Sequence, residues 1–74
     1  KTTKKIKKLR IVPRKVYQGK KYTGKIYSVQ NLNKKPVQLV EKTFIEPGVL
    51  AIKLDKQKIS PREITYLYVV ERTL

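Results

Sequence analysis

Seventy-four residues form one small domain, a size at which only roughly 60–65% of the unfolded chain's surface is buried and the core is marginal. The chain has no Cys and no His, which excludes disulfides and Zn sites built on those ligands, and no apolar run reaches the ~18 residues of a transmembrane helix. The formal net charge of +14 is uneven: residues 1–40 hold 13 Lys or Arg and no acid, whereas residues 41–74 hold 6 basic and 5 acidic residues. Clustered positive charge suits a polyanion or an anionic surface, or else forms a solvated basic arm.

The chain begins Lys-Thr-Thr and contains no Met, so it is expected to be a processed product or a piece cut from a longer polypeptide. KTTKKIKKLR sets Ile6 and Leu9 three apart, with Ile11 and Val12 following before Pro13 halts any helix. Residues 1–15 therefore read as a basic linker running into a first strand, ahead of a β domain over 16–74. The next stretch, KVYQGKKYTGKIYSVQN, is rich in β-branched and aromatic residues broken by Gly19 and Gly24, which predicts strand, turn, strand. Val37 and Leu39 reopen the alternation beyond Pro36, so NLNKKP reads as a hairpin loop.

A further strand, with Glu41 in its middle, is expected to end at Phe44 and Ile45. Glu46-Pro47-Gly48 then has the type II turn signature: Pro presets the first central φ and Gly accepts a positive φ at the second. In VLAIKLD, Leu50, Ile52 and Leu54 alternate with Val49, Ala51, Lys53 and Asp55, as in a strand with one buried face. The polar DKQKISPRE leads to ITYLYVV, apolar on both faces: Ile64, Tyr66, Tyr68 and Val70 on one, Thr65, Leu67 and Val69 on the other. Short strands at a spacing of about ten residues, with no amphipathic helix, predict an all-β fold, a small antiparallel β-sandwich or barrel.

Catalysis has little to draw on. General acid–base work needs a positioned pair of titratable groups, and a nucleophile needs a base beside it. The acids are only Glu41, Glu46, Asp55, Glu63 and Glu71, with no His or Cys beside them. Their expected roles are pairing with lysines and accepting turn N–H groups. Gly19 and Gly24 open no helix and form no phosphate loop. The reading is non-enzymatic and calls for no cofactor and no metal.

Tyr17, Tyr22 and Tyr27 interleave with Lys15, Lys20, Lys21 and Lys25. Bases stack on exposed aromatic rings while lysines track phosphates, so a small basic β-barrel that binds nucleic acid is one reading. The other is that tyrosine is a common strand residue with half its ring in the core.

Five motifs in order resemble a known family: Tyr17-x-Gly19-x-x-Tyr22; Tyr27-x-Val29-x-Asn31; Pro36-Val37-x-Leu39 with Glu41 and Phe44; Pro47-Gly48-Val49-x-Ala51-Ile52-x-Leu54; and Leu67-Tyr68-Val69-Val70. Together they resemble the C-terminal domain of TraK, the secretin-like ring subunit of F-type conjugative transfer machines, over residues 16–71. The chain has Ser60-Pro61-Arg62-Glu63 where that family often has a Pro-Gly turn. The resemblance implies a periplasmic β-sandwich in the outer-membrane core ring of a type IV secretion channel. It also implies copies of the chain around the ring, a small TraV-like outer-membrane lipoprotein and a TraB-like channel subunit as partners, and at most nonspecific contact with nucleic acid. The second apolar face of ITYLYVV is then covered either within the domain or by a partner chain. On the latter reading Tyr66, Tyr68 and Val70, with Tyr22 and Tyr27, are the candidate partner-binding residues.

Overall fold

The computed structural model describes residues 8–73. Six strands follow in order: β1 (Leu9–Gln18), β2 (Tyr22–Asn31), β3 (Val37–Gln38), β4 (Val49–Leu54), β5 (Lys58–Ile59) and β6 (Ile64–Arg72), with a 3-10 helix, Glu41–Phe44, between β3 and β4. They form a four-stranded sheet in the order β1-β2-β6-β4 and a two-stranded sheet of β3 and β5, and every pairing is antiparallel. The fold is all-β, as the composition of the runs predicts. β1 crosses the division between residues 15 and 16, so residues 9–15 belong to the large sheet. The start of the basic segment, residues 1–7 with Ile6, lies outside the described residues.

The core lies between the two layers. Val29, Leu54, Leu67 and Val69 point inward from the large sheet and meet Val37, Leu39 and Ile59 from the opposite layer, all buried. Burying each such aliphatic side chain contributes about 1.5–3 kcal/mol. The opposing layer is small: two strands of two residues and the 3-10 helix, whose Phe44 packs on the core. It leaves part of the inner face open as a groove of about 380 Å³, lined by Tyr27, Val49, Leu67 and Val69 of the large sheet and by Phe44 of the 3-10 helix.

Three local expectations are corrected. Residues 31–36 are not a hairpin loop, because β3 pairs with β5 and not with β2. The cause is Asn31, fully buried. Its Oδ1 accepts the Asn33 N–H at 2.8 Å, bending the chain out of the sheet, while its Nδ2 donates to the carbonyls of Lys35 (3.0 Å) and Ile59 (3.1 Å). Glu41 is not mid-strand: residues 41–44 coil into the 3-10 helix, and the Glu41 carboxylate accepts the Leu54 N–H at 2.9 Å, the place a neighbouring strand's carbonyl would take. Leu50 does not point inward. Val49 pairs with Glu71 and Ala51 with Val70, so Leu50 is the extra residue of a bulge and is 48% exposed, while Val49 takes the inward place.

The Glu46–Val49 turn is as the sequence predicts, with Gly48 at φ +95° and the Val49 N–H donating to Glu46 O at 3.0 Å.

Candidate functional site

The large sheet has one face on the core and a second that no described element covers. Strand alternation and register assign its residues. Central strands β2 and β6 contribute Tyr22, Gly24, Ile26, Ser28 and Gln30, and Ile64, Tyr66, Tyr68, Val70 and Arg72. The edge strand β1 adds Arg10, Val12, Lys15 and Tyr17, and the edge strand β4 adds Ala51 and Lys53. One row across all four strands reads Lys15, Ile26, Tyr68, Lys53, and the next reads Tyr17, Gly24, Val70, Ala51. Tyr66 is 42% exposed, Tyr68 and Val70 37% each, and Tyr17 58%, whereas their chain neighbours Thr65, Leu67 and Val69 are buried. The strict alternation of ITYLYVV thus resolves into one core face and one open face.

The electrostatics of the open face are one-sided. Arg10, Arg14, Lys15, Lys53 and Arg72 lie on it, the Arg14 Nε donating to Ser28 Oγ at 3.0 Å, and no Asp or Glu occupies any of its strand positions. The acids lie elsewhere. Glu71 is on the inner face, its Oε2 2.5 Å from Lys25 Nζ, and this hydrogen bond holds the Lys25 ammonium above its usual pKa. Glu63 sits before β6, where the Lys56 ammonium at 2.5 Å and then the Ser60 N–H at 2.7 Å hold its carboxyl below the usual range. Among the described residues, neither Lys15 nor Lys53 is in a salt bridge.

Of the residues singled out in the sequence, Tyr66, Tyr68 and Val70 come together on the open face, and Tyr22 lies at its end opposite Arg72. Tyr27 does not join them: it is half-buried on the inner face and lines the groove. Tyr22 and Tyr27 are five apart on one strand, an odd number, so period-2 alternation alone sets them on opposite faces. Sequence reasoning set Lys15 and Tyr17 only in the nucleic-acid reading and did not single out Gly24, Ile26 and Lys53 for this face; the strand order assembles all five. No group of three or more potential metal ligands occurs among the described residues, and no helix there is long and apolar enough to cross a membrane.

The geometry suits recognition of a surface. A half-exposed pair of tyrosines set among aliphatic side chains presents large area at low entropic cost, the usual composition of an interface centre. A family model described as the TraK C-terminal domain matches residues 1–71, the lysine-rich start included. No curated protein matches the chain.

Proposed function

The chain belongs to the TraK C-terminal domain family and is a domain of a TraK-related type IV secretion component; on that premise we propose that it is a structural, non-enzymatic part of the core ring of a conjugative channel. In this reading it sits in the periplasm against the outer membrane; family membership is consistent with a location in the periplasm or envelope. It is flanked by copies of itself and by a TraB-like channel subunit, and it holds a small TraV-like lipoprotein through Tyr66, Tyr68 and Val70. The observation that carries the reading is the open sheet face, whose tyrosines alternate with fully packed core residues. A domain this small, with no disulfide, gains the burial it lacks by covering that face.

The test is co-purification of the full-length parent with the lipoprotein of the same transfer system. The Tyr66→Ser/Tyr68→Ser double variant is expected to weaken that complex by ~2 kcal/mol or more, as loss of aromatic interface residues does, with the domain still folded. Retention of the lipoprotein at full affinity by the double variant overturns the assignment of the site.

A second reading, nonspecific nucleic-acid binding, has one observation in its favour, the row of cations beside Tyr17 and Tyr68. Contact of that kind fades by about 0.2 M salt, whereas the lipoprotein complex is expected to persist there.

A further inference from the structure

We propose that the open face receives an extended, acidic segment of the partner protein, with carboxylates at positions i and i+4 and an apolar side chain at i+2, lying across the strands along the row Lys15, Ile26, Tyr68, Lys53. This rests on the partner-binding reading above and specifies the chemistry of its ligand.

The row sets the pattern. Lys15 and Lys53 lie on the two edge strands, three strand spacings apart, which is about 14 Å. An extended chain advances about 3.3 Å per residue, so side chains four apart lie about 13 Å apart and, with the period of two, point the same way. The residue midway between them points the same way as well, onto Ile26 and Tyr68. Beside that point is a gap. Gly24 stands between Tyr17 and Val70, and a Cβ built on it would meet nothing within 4 Å. A glycine inside a strand costs about 0.5–1 kcal/mol relative to Ala, and neither crowding nor a positive φ demands one here. The open space above Gly24, between Tyr17 and Val70, leaves room for the apolar side chain.

The sheet edges argue for docking on the face. β1 carries Pro13 and a register shift between Pro13 and Lys15, and β4 is shifted between Val49 and Ala51. Both features interrupt the row of free N–H and C=O groups that an added strand needs. Charge excludes a second copy laid face to face, since cation would meet cation. The aliphatic residues Ile26, Ile64 and Val70 around the tyrosines favour peptide side chains over stacked bases, which take aromatic and cationic partners.

The experiment follows amide chemical shifts of the 74-residue chain titrated with three probes: a blocked peptide centred on Glu-Thr-Leu-Thr-Glu, the same peptide with lysine for both glutamates, and a fifteen-nucleotide oligothymidine. Shifts at Ile26, Tyr68 and Val70 with the acidic peptide alone are expected. Lys15→Glu/Lys53→Glu and Gly24→Leu should each weaken that binding about tenfold, by removing the ion pairs or filling the space above Gly24, without lowering the melting temperature. No shift at about 1 mM acidic peptide, equal response to the lysine peptide, or tighter binding of the oligonucleotide overturns the proposal. The lipoprotein separates the two levels. If Tyr66→Ser/Tyr68→Ser loses it and Lys15→Glu/Lys53→Glu keeps it, the acidic-segment proposal fails and the partner-binding reading stands. If both variants keep it, both fail.

Discussion

Replacing Leu67 with alanine tests the division of β6 into a core face and an open face. Leu67 is 3% exposed, pairs with Tyr27 on β2 and Leu54 on β4, and belongs to the cluster containing Val29, Val37, Leu39 and Ile59. Truncating such a leucine costs about 2–5 kcal/mol, depending on how far the surroundings relax. Here the lower half of that range applies, about 2–3.5 kcal/mol, because Leu67 also borders the inner groove, so water and neighbouring side chains can reach the vacated volume. At about 0.05–0.15 kcal/mol per residue, a 74-residue domain has a total stability of about 4–11 kcal/mol. The variant therefore loses a large share of it, and at about 4–8 °C per kcal/mol it should melt about 8–28 °C lower. Tyr68→Ala, one residue along and facing out, removes only cross-strand contacts and should cost about 1 kcal/mol. Thermal melts by circular dichroism, checked for two-state behaviour against denaturant unfolding, read both. A Tyr68→Ala variant that melts below Leu67→Ala would refute the assignment of faces.

Gly48→Val should destabilise by about 1–2 kcal/mol, because a β-branched residue resists the φ of +95° that closes the Glu46–Val49 turn; a denaturant midpoint equal to that of the unaltered chain would contradict this. Asn31→Asp should cost about 2–4 kcal/mol, since a carboxylate would replace the amide that donates to the Lys35 and Ile59 carbonyls in a fully buried site; the check is a urea titration, and a loss below 1 kcal/mol would show that the hub is dispensable. The depressed pKa of Glu63 gives stability that is present above the usual carboxylate range and is lost as pH falls through the folded-state value. Glu63→Gln should accordingly flatten the fall in melting temperature between roughly pH 5 and pH 3, and an unchanged slope would exclude this contribution. The raised pKa of Lys25 acts in the opposite sense, its contribution persisting at neutral pH and disappearing only as pH rises through the folded-state value, above the ordinary lysine range.

Regular strands were legible in the sequence because their side-chain period is fixed by backbone geometry. β6 has no bulge in its pairing with β2, and the alternation of ITYLYVV emerges intact as buried Thr65, Leu67 and Val69 against exposed Tyr66, Tyr68 and Val70. β4 was misread by one residue at its start because a bulge shifts the phase without changing composition, so Leu50 and Val49 exchange faces. The run ending in Phe44-Ile45 looks like a strand in composition. It folds as a 3-10 helix because the Glu41 side chain reaches the Leu54 N–H and makes the link a ladder would have made. The crossing of residues 31–36 to the second layer depends on bonds from Asn31 to residues as distant as Ile59, which no local window contains. The same limit hid half the site. Tyr66, Tyr68 and Val70 share one strand, while Lys15, Ile26 and Lys53 meet Tyr68 only through the order β1-β2-β6-β4.

That order also turns a charge asymmetry along the chain into one across the sheet. Residues 1–40 carry no acid, so β1 and β2, adjacent in the sheet, bring only cations. Whether the open face stays free of carboxylates is then decided by β6 and β4, which come from the half of the chain holding all five acids. β4 contains none, since Asp55 follows its last residue, and the single acid of β6, Glu71, occupies an inward position where it pairs with Lys25. A shift of one residue in the phase of β6 would turn Glu71 outward onto the open face, bury Tyr66 and Tyr68, and expose Leu67. Core packing and the electrostatic character of the open face are therefore set by the same register. Placing an acid at position 70 or 72 is a direct way to perturb the second without the first, because Val70 and Arg72 are exposed on that face and absent from the core.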